Sequence, residues 1–129
     1  MSDLIKAGLT KTIKLVVTED TTAEKVGSGS LPVFSTPSML AAMEKASLQA
    51  VEDYLDYGET TVGIMANIKH LAATKIGDVV EVKSEVINVE GKKISFNIKA
   101  FSSDKLIGEG IHDRFVVNSE KFMKKLLGE

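Results

Sequence analysis

Hydrophobic positions follow more than one period along the chain, and each change marks an element. Positions 12–17 (Thr-Ile-Lys-Leu-Val-Val) are short and β-branched, which predicts a strand. Positions 18–35 show no period and contain Gly27-Ser28-Gly29-Ser30 and Pro32, the chemistry of a loop. From Thr36-Pro37 to about Leu55 the spacing becomes helical. Thr is a favoured N-cap and Pro a favoured first helical residue, so Thr36 is expected to cap this helix. At about 100° per residue, Lys45, Gln49, Glu52, Asp53 and Asp56 share one arc, while apolar or small residues such as Met39, Met43, Ala46, Ala50 and Val51 fill most of the rest. A helix so apolar around its circumference is wrapped by other structure.

Beyond Tyr57-Gly58 the period falls to two. Over 61–71, Val62, Ile64, Ala66 and Ile68 share a face, and His70 ends that row. Over 78–89, Val80, Val82 and Val86 oppose Glu81, Lys83 and Glu85. Glu90-Gly91-Lys92 predicts a tight turn into 93–102, where Ile94, Phe96, Ile98 and Ala100 point inward. Ser102-Ser103-Asp104 turns the chain again into a last strand at 105–117, and 119–127 carries Phe122, Met123, Leu126 and Leu127 at helical spacing. The order predicts a single α+β domain over 1–129, an antiparallel β-sheet wrapped around one long central helix. Strands covering one side of a helix leave surface open, which a dimer would close.

Composition narrows the chemistry. The chain has 129 residues, no Cys, no Trp, two His (His70 and His112), and a single Arg (Arg114) among 16 basic residues. Without Cys there is no disulfide framework, thiolate metal site or thiol nucleophile. A net charge of −2 argues against a nucleic-acid partner. No run approaches the roughly 18 apolar residues of a membrane span, and Met1-Ser2-Asp3-Leu4-Ile5-Lys6 does not read as a signal peptide. The expectation is a cytoplasmic protein with no membrane partner. Two histidines are too few for a zinc site, and the common phosphate-binding and nucleophile-elbow motifs are absent.

Several residues break the pattern. Glu44 falls by helical angle among Leu40, Ser47, Leu48, Val51 and Leu55, where a carboxylate needs a partner. Facing a cleft it would serve as general base or nucleophile; tied to a backbone donor it would be structural. If His70 met Glu44, acid and imidazole would form a hydrolytic pair, whereas a lone core histidine would bond a carbonyl. Thr36 heads the helix, where free N–H groups suit a thioester oxyanion or a phosphate. Gly108 and Gly110 share a strand face with His112 and Arg114, and Gly63 interrupts another strand; such glycines imply a bulge or a close approach. Arg114 would hold a ligand's phosphate or carbonyl, or pair with an acid across the sheet.

The order of elements resembles the hotdog fold. Within it, Pro32-Val33-Phe34-Ser35-Thr36 running into Met43-Glu44, Lys69-His70-Leu71-Ala72-Ala73-Thr74, Val89-Glu90-Gly91-Lys92-Lys93, and His112-Asp113-Arg114 with Glu120-Lys121-Phe122 resemble the fluoroacetyl-CoA thioesterase branch from about residue 32 onward. The resemblance implies an acyl-CoA thioesterase working as a homodimer or dimer of dimers, with its sites at the subunit interface. CoA would be part of the substrate, with no cofactor and no metal. The resemblance implies Thr36, Glu44 and His70 as catalytic residues and Gly63 and Arg114 as acyl-pocket residues. Phe34, the first aromatic ahead of Thr36, joins them as a candidate substrate contact. Where the family's lid phenylalanines precede the catalytic threonine, this chain has Gly27-Ser28-Gly29-Ser30. Hydrolysis of a small acyl thioester therefore carries over, and fluoroacetyl selectivity does not. A non-catalytic acyl-CoA-binding hotdog dimer and an acyl-thioester dehydratase or hydratase share the fold.

Overall fold

A computed structural model describes residues 1–129. The elements run β1 (Thr10–Val16), a 3-10 turn (Glu19–Thr21), α1 (Ala23–Val26), α2 (Thr36–Glu52), β2 (Glu59–His70), β3 (Val79–Glu90), β4 (Lys93–Ser102), β5 (Lys105–Asn118) and α3 (Ser119–Leu127). The strands form one antiparallel sheet in the order β1-β3-β4-β5-β2, so β1 and β2 are its edges. Two hairpins build the centre. Gly91 turns β3 into β4 with φ 61°, and Ser103 and Asp104 turn β4 into β5 with φ 49° and 63°. Two successive positive φ values match the twist that a two-residue hairpin needs.

The predicted alternation of β3 and β4 holds. Val80, Val82, Val86, Ile94, Phe96, Ile98 and Ala100 are fully buried, and they share one core with Met39, Met43, Ala46 and Val51 of α2. One polar link crosses this core. The Ser47 hydroxyl donates to the Met43 carbonyl at 2.8 Å, so the Ser84 hydroxyl, 2.8 Å away on β3, donates to Ser47. Both hydroxyls are thereby paired, and the helix is pinned in register on the sheet.

Local features differ from the pattern for identifiable reasons. Ser35, not Thr36, caps α2: its Oγ accepts from the Ser38 N–H at 3.1 Å, and Thr36 is the first helical residue. The Phe34 and Ser35 N–H groups are held by the carbonyls of Thr74 and Thr21, which keeps the backbone extended through Ser35 before it turns. Positions 18–35 are not all loop. Thr22 caps the single turn of α1, which Gly27 closes in the left-handed region at φ 89°. Four residues are too few to display a period. The strand expected at 12–17 begins earlier, at Thr10, and α2 stops at Glu52, with Tyr54 and Leu55 packing against the core beyond its end.

The largest departure is in β2. Gly63 pairs with Arg114 and Met65 with Asp113, which leaves Ile64 as an extra residue. A bulge of this kind reverses the faces of the strand. Thr61 and Gly63 before it, and Ala66, Ile68 and His70 after it, share the helix-facing side with buried His112 and Arg114 of β5. Val62 and Ile64 do not lie on that side as expected, and Ile64 is exposed.

Gly108 and Gly110 mark close approaches as expected. A Cβ on Gly110 would land on the Asn67 carbonyl oxygen of β2 and on Ile68, and one on Gly108 on the Met39 sulfur. Gly110→Ala is expected to lower stability by about 1–3 kcal/mol, because backbone stands in the way. In urea unfolding the midpoint should fall with its slope unchanged; a wild-type midpoint would contradict this spacing of β2 and β5.

Candidate active site

Two clusters of polar side chains flank α2. The first lies at its head. Because Ser35 takes the capping role, the Thr36 hydroxyl is free, and its Oγ1 lies 2.8 Å from His70 Nδ1 at the end of β2. Phe34 is buried and meets the imidazole edge-on at 6.3 Å between ring centroids. His70 Nε2 is buried without a hydrogen-bond partner. Burial pushes the imidazole below its usual pKa, with the Ala72 backbone opposing, so the ring is neutral at pH 7 and able to accept a proton. Pro37 has no N–H and Ser35 satisfies those of Ser38 and Met39, which leaves the Thr36 N–H as a spare donor at the helix N-terminus. Thr36 and His70 line a cleft of ≈ 390 Å³ whose other walls include Ala23, Val33, Phe34 and Ala72.

The second cluster centres on Glu44, two turns along α2 and about 12 Å from Thr36 at the helical rise. Its side chain is half-exposed (42%), and Oε2 lies 3.7 Å from Arg114 Nη1. A Cβ on Gly63 would stand 2.9 Å from that oxygen, so the glycine leaves room for the carboxylate over β2. Arg114 is buried. Its Nε–H donates to Thr61 Oγ1 at 2.7 Å, Nη2 to the Thr61 carbonyl at 2.8 Å, and Nη1 lies 3.2 Å from His112 Nε2. His112 Nδ1 lies 2.7 Å from the Met65 carbonyl, and the ring stacks on Phe96. Burial lowers the pKa of Arg114, with Glu44 opposing. Burial also lowers that of His112; Arg114 adds to the shift, while Met65, Glu44 and Asp113 oppose it.

The structure thus joins Thr36 with His70 and Phe34, and Glu44 with Gly63 and Arg114. Of the two arrangements open for His70, no bond to Glu44 forms within one chain, and its Nδ1 meets the Thr36 hydroxyl instead. Arg114 does find an acid, but from the helix rather than across the sheet. Its bonds to Thr61 and His112 occupy three of its five N–H groups, and Glu44 stands at the Nη1 end. Thr61 escaped sequence reasoning altogether, and His112 was noted only for the face it shares with Arg114. No group of three or more His, Asp or Glu side chains converges as metal ligands.

Comparison with known proteins gives a consistent picture. A family model described as a fluoroacetyl-CoA-specific thioesterase matches residues 17–120. The chain is 38% identical over 94 residues to the fluoroacetyl-CoA thioesterase of Streptantibioticus cattleyicolor, a stretch covering 73% of this chain and 68% of that protein. A solved mutant of a fluoroacetyl-CoA thioesterase in complex with acetyl-CoA superposes with a TM-score of 0.91 at 32% identity, over 96% of this chain and 98% of that one. A hot-dog-like protein from Thermanaerovibrio acidaminovorans shares the fold with a TM-score of 0.87 at 22% identity, over 95% of this chain and 90% of that one.

Two stability measurements check this site. Ser35→Ala should cost about 1 kcal/mol through the lost cap, whereas Thr36→Val, which removes only the hydroxyl bonded to His70, should cost less than about 0.5 kcal/mol; equal losses in urea unfolding would contradict the assignment of the cap. Both histidines are held below their ordinary pKa. Their contribution to stability is therefore complete above about pH 6.5 and is lost as pH falls through their folded-state values. The urea midpoint should drop between pH 7 and pH 5, less steeply in His70→Asn, and a flat profile would oppose the burial described.

Proposed function

The chain belongs to the fluoroacetyl-CoA-specific thioesterase family and is an acyl-CoA thioester hydrolase, and from that premise we propose how its residues divide the reaction. The observation that carries the reading is the Thr36–His70 hydrogen bond in a cleft at the head of α2. A hydroxyl in hydrogen-bond reach of a neutral imidazole is an activated nucleophile. Thr36 Oγ1 attacks the thioester carbonyl carbon while its proton passes to His70 Nδ1. The carbonyl oxygen becomes an oxyanion at the Thr36 N–H, where the helix dipole favours negative charge. The C–S bond then breaks, and the CoA sulfur leaves as a thiol with the proton from Nδ1. In the second half, water attacks the acyl ester and gives its proton to a Glu44 carboxylate. The ester bond breaks, the Glu44 carboxyl returns that proton to the Thr36 oxygen, and the free acid departs.

In this reading Glu44 comes from the partner subunit. The edge strand β2 leaves one row of backbone N–H and C=O groups without partners, and Ile64 and Met65 are exposed beside it. Antiparallel pairing of two β2 edges about an axis through Asn67, with Ile64 again left out of register, sets His70 of one protomer opposite the partner's Gly63. The bulge supports this arrangement, because it puts Gly63 and His70 on the same side of the sheet. The partner's Glu44, lying over that glycine, then reaches the Thr36–His70 pair. Each homodimer carries two such sites.

The cleft favours a short acyl group: its walls are small or apolar, with Phe34 packed behind the imidazole. Ser28, rather than an aromatic lid residue, lines it from the loop, so fluoroacetyl-CoA has no privileged place among short acyl thioesters. The substrate is an acyl-CoA of the cytoplasm, and no cofactor takes part.

Against a panel of short acyl-CoAs, release of CoA thiol should fall at least about 100-fold in Thr36→Val and His70→Ala, with Thr36→Ser keeping much of it. Thr36→Val turning over at the wild-type rate would overturn the nucleophile. Subunit sharing has its own readout. Glu44→Gln and His70→Ala chains, each nearly inactive alone, should recover roughly a quarter of wild-type turnover when co-refolded, since the mixed dimer holds one intact site. No recovery in verified mixed dimers would place Glu44 in its own chain's site.

A further inference from the structure

Arg114 is an expensive residue in its position. A guanidinium carries five N–H donors in a rigid plane, and here it is buried under the sheet-facing side of α2. Stability alone does not call for it, since apolar residues in place of a buried ion pair are often neutral or better. Its neighbours hold it from three directions. Thr61 tethers it twice, through Oγ1 to Nε and through the carbonyl to Nη2. His112 holds the third side, and the polarity of that bond follows from its partners. The Met65 carbonyl can only accept, so Nδ1 carries the imidazole proton; Nε2 is then a bare acceptor, and Arg114 Nη1 donates to it. Thr61 and Met65 flank the bulge in β2, so the backbone irregularity supplies both anchors.

These anchors leave one N–H on Nη2 and one on Nη1, and the Nη1 end is the one beside Glu44. The separation of 3.7 Å is longer than a direct hydrogen bond, so charge rather than contact orients the carboxylate, and its place depends on where the fork is fixed. We propose that Thr61 and His112 are positioning residues, which act through Arg114 to hold the Glu44 carboxylate over Gly63 in the orientation from which it deprotonates the hydrolytic water. This rests on the role proposed above for Glu44.

Kinetic variants test it. Thr61→Val keeps the shape and β-propensity of the strand residue and removes only the hydroxyl acceptor. Release of the acyl group should slow, so kcat should fall about tenfold and KM with it, leaving kcat/KM close to wild type, because that ratio reports the steps up to thiol release. Thr61→Ser should restore kcat. For His112, Gln presents its amide oxygen near the place of Nε2 and should support turnover better than Asn, which reaches only the Met65 carbonyl. In a Glu44→Gln background, Thr61→Val should add nothing, the signature of residues acting as one unit. Urea midpoints verify that each variant is folded. If Glu44→Gln itself leaves turnover unchanged, the role of Glu44 fails and takes this inference with it. If Glu44→Gln is slow while Thr61→Val turns over at the wild-type rate, or its effect adds fully to that of Glu44→Gln, the positioning role alone is overturned.

Discussion

Ile64 has no partner in the ladder between β2 and β5, and the placement of Gly63 and His70 on one face of the sheet follows from that unpaired residue. Gly63 and His70 stand seven positions apart in the sequence, an odd interval. In an unbroken strand they would point to opposite faces of the sheet. The bulge inserts one residue between them and brings both to the side of α2. Gly63 there leaves space for a carboxylate from the helix, and His70 there reaches the hydroxyl at its head. The Met65 carbonyl that anchors His112 is the first backbone acceptor past the same irregularity. A bulge in an edge strand costs ladder hydrogen bonds, and its retention beside functional groups is the usual reason such features exist.

The central helix supplies the second ruler. Its N-terminal turn carries Thr36 with a spare backbone donor, and Glu44 follows about 12 Å further along. The capping arrangement matters to the chemistry. Had Thr36 capped the helix, its oxygen would be committed to a backbone N–H; with Ser35 in that role it is available to His70. Ser47 and Ser84 lock the helix to β3, so neither end slides relative to the strands that carry the histidines. The geometry is held by a few directed bonds in an otherwise apolar core, where each unpaired polar group would be costly.

Most of the fold was legible because it rests on periodicity. Val80, Val82 and Val86, and Ile94, Phe96, Ile98 and Ala100, are buried as their alternation requires. Glu44 and His70 were legible for the opposite reason, as polar residues in apolar rows. What escaped depends on contacts between distant segments. Ser35 and Thr36 are equally good caps by residue type, and the choice between them is made by carbonyls at Thr21 and Thr74. Gly63 did signal a bulge or a close approach, but the alternation of Val62, Ile64, Ala66 and Ile68 masked the reversal of faces that the bulge brings. Thr61 is an ordinary strand residue until Arg114, 53 positions away, folds against it. Local pattern reports which faces are buried; it does not report which polar atoms meet.

In the proposed homodimer, the two clusters tie assembly to catalysis. One chain holds a hydroxyl with its imidazole at one end of β2 and a carboxylate with its guanidinium near the other. The strand between them is the exposed edge of the sheet. In the dimer proposed above, a twofold axis through that edge sets the second pair of ends against the first, so the pairing that covers the edge also brings the two clusters together. A protomer that buried its own edge with a helix or loop would lose this economy, because the acid and the imidazole would stay on opposite sides of the cover. An open, bulged β2 with Ile64 and Met65 exposed along it presents the kind of edge that a second copy can pair with. In the proposed dimer, the residues that shape the site are the same ones that meet the partner.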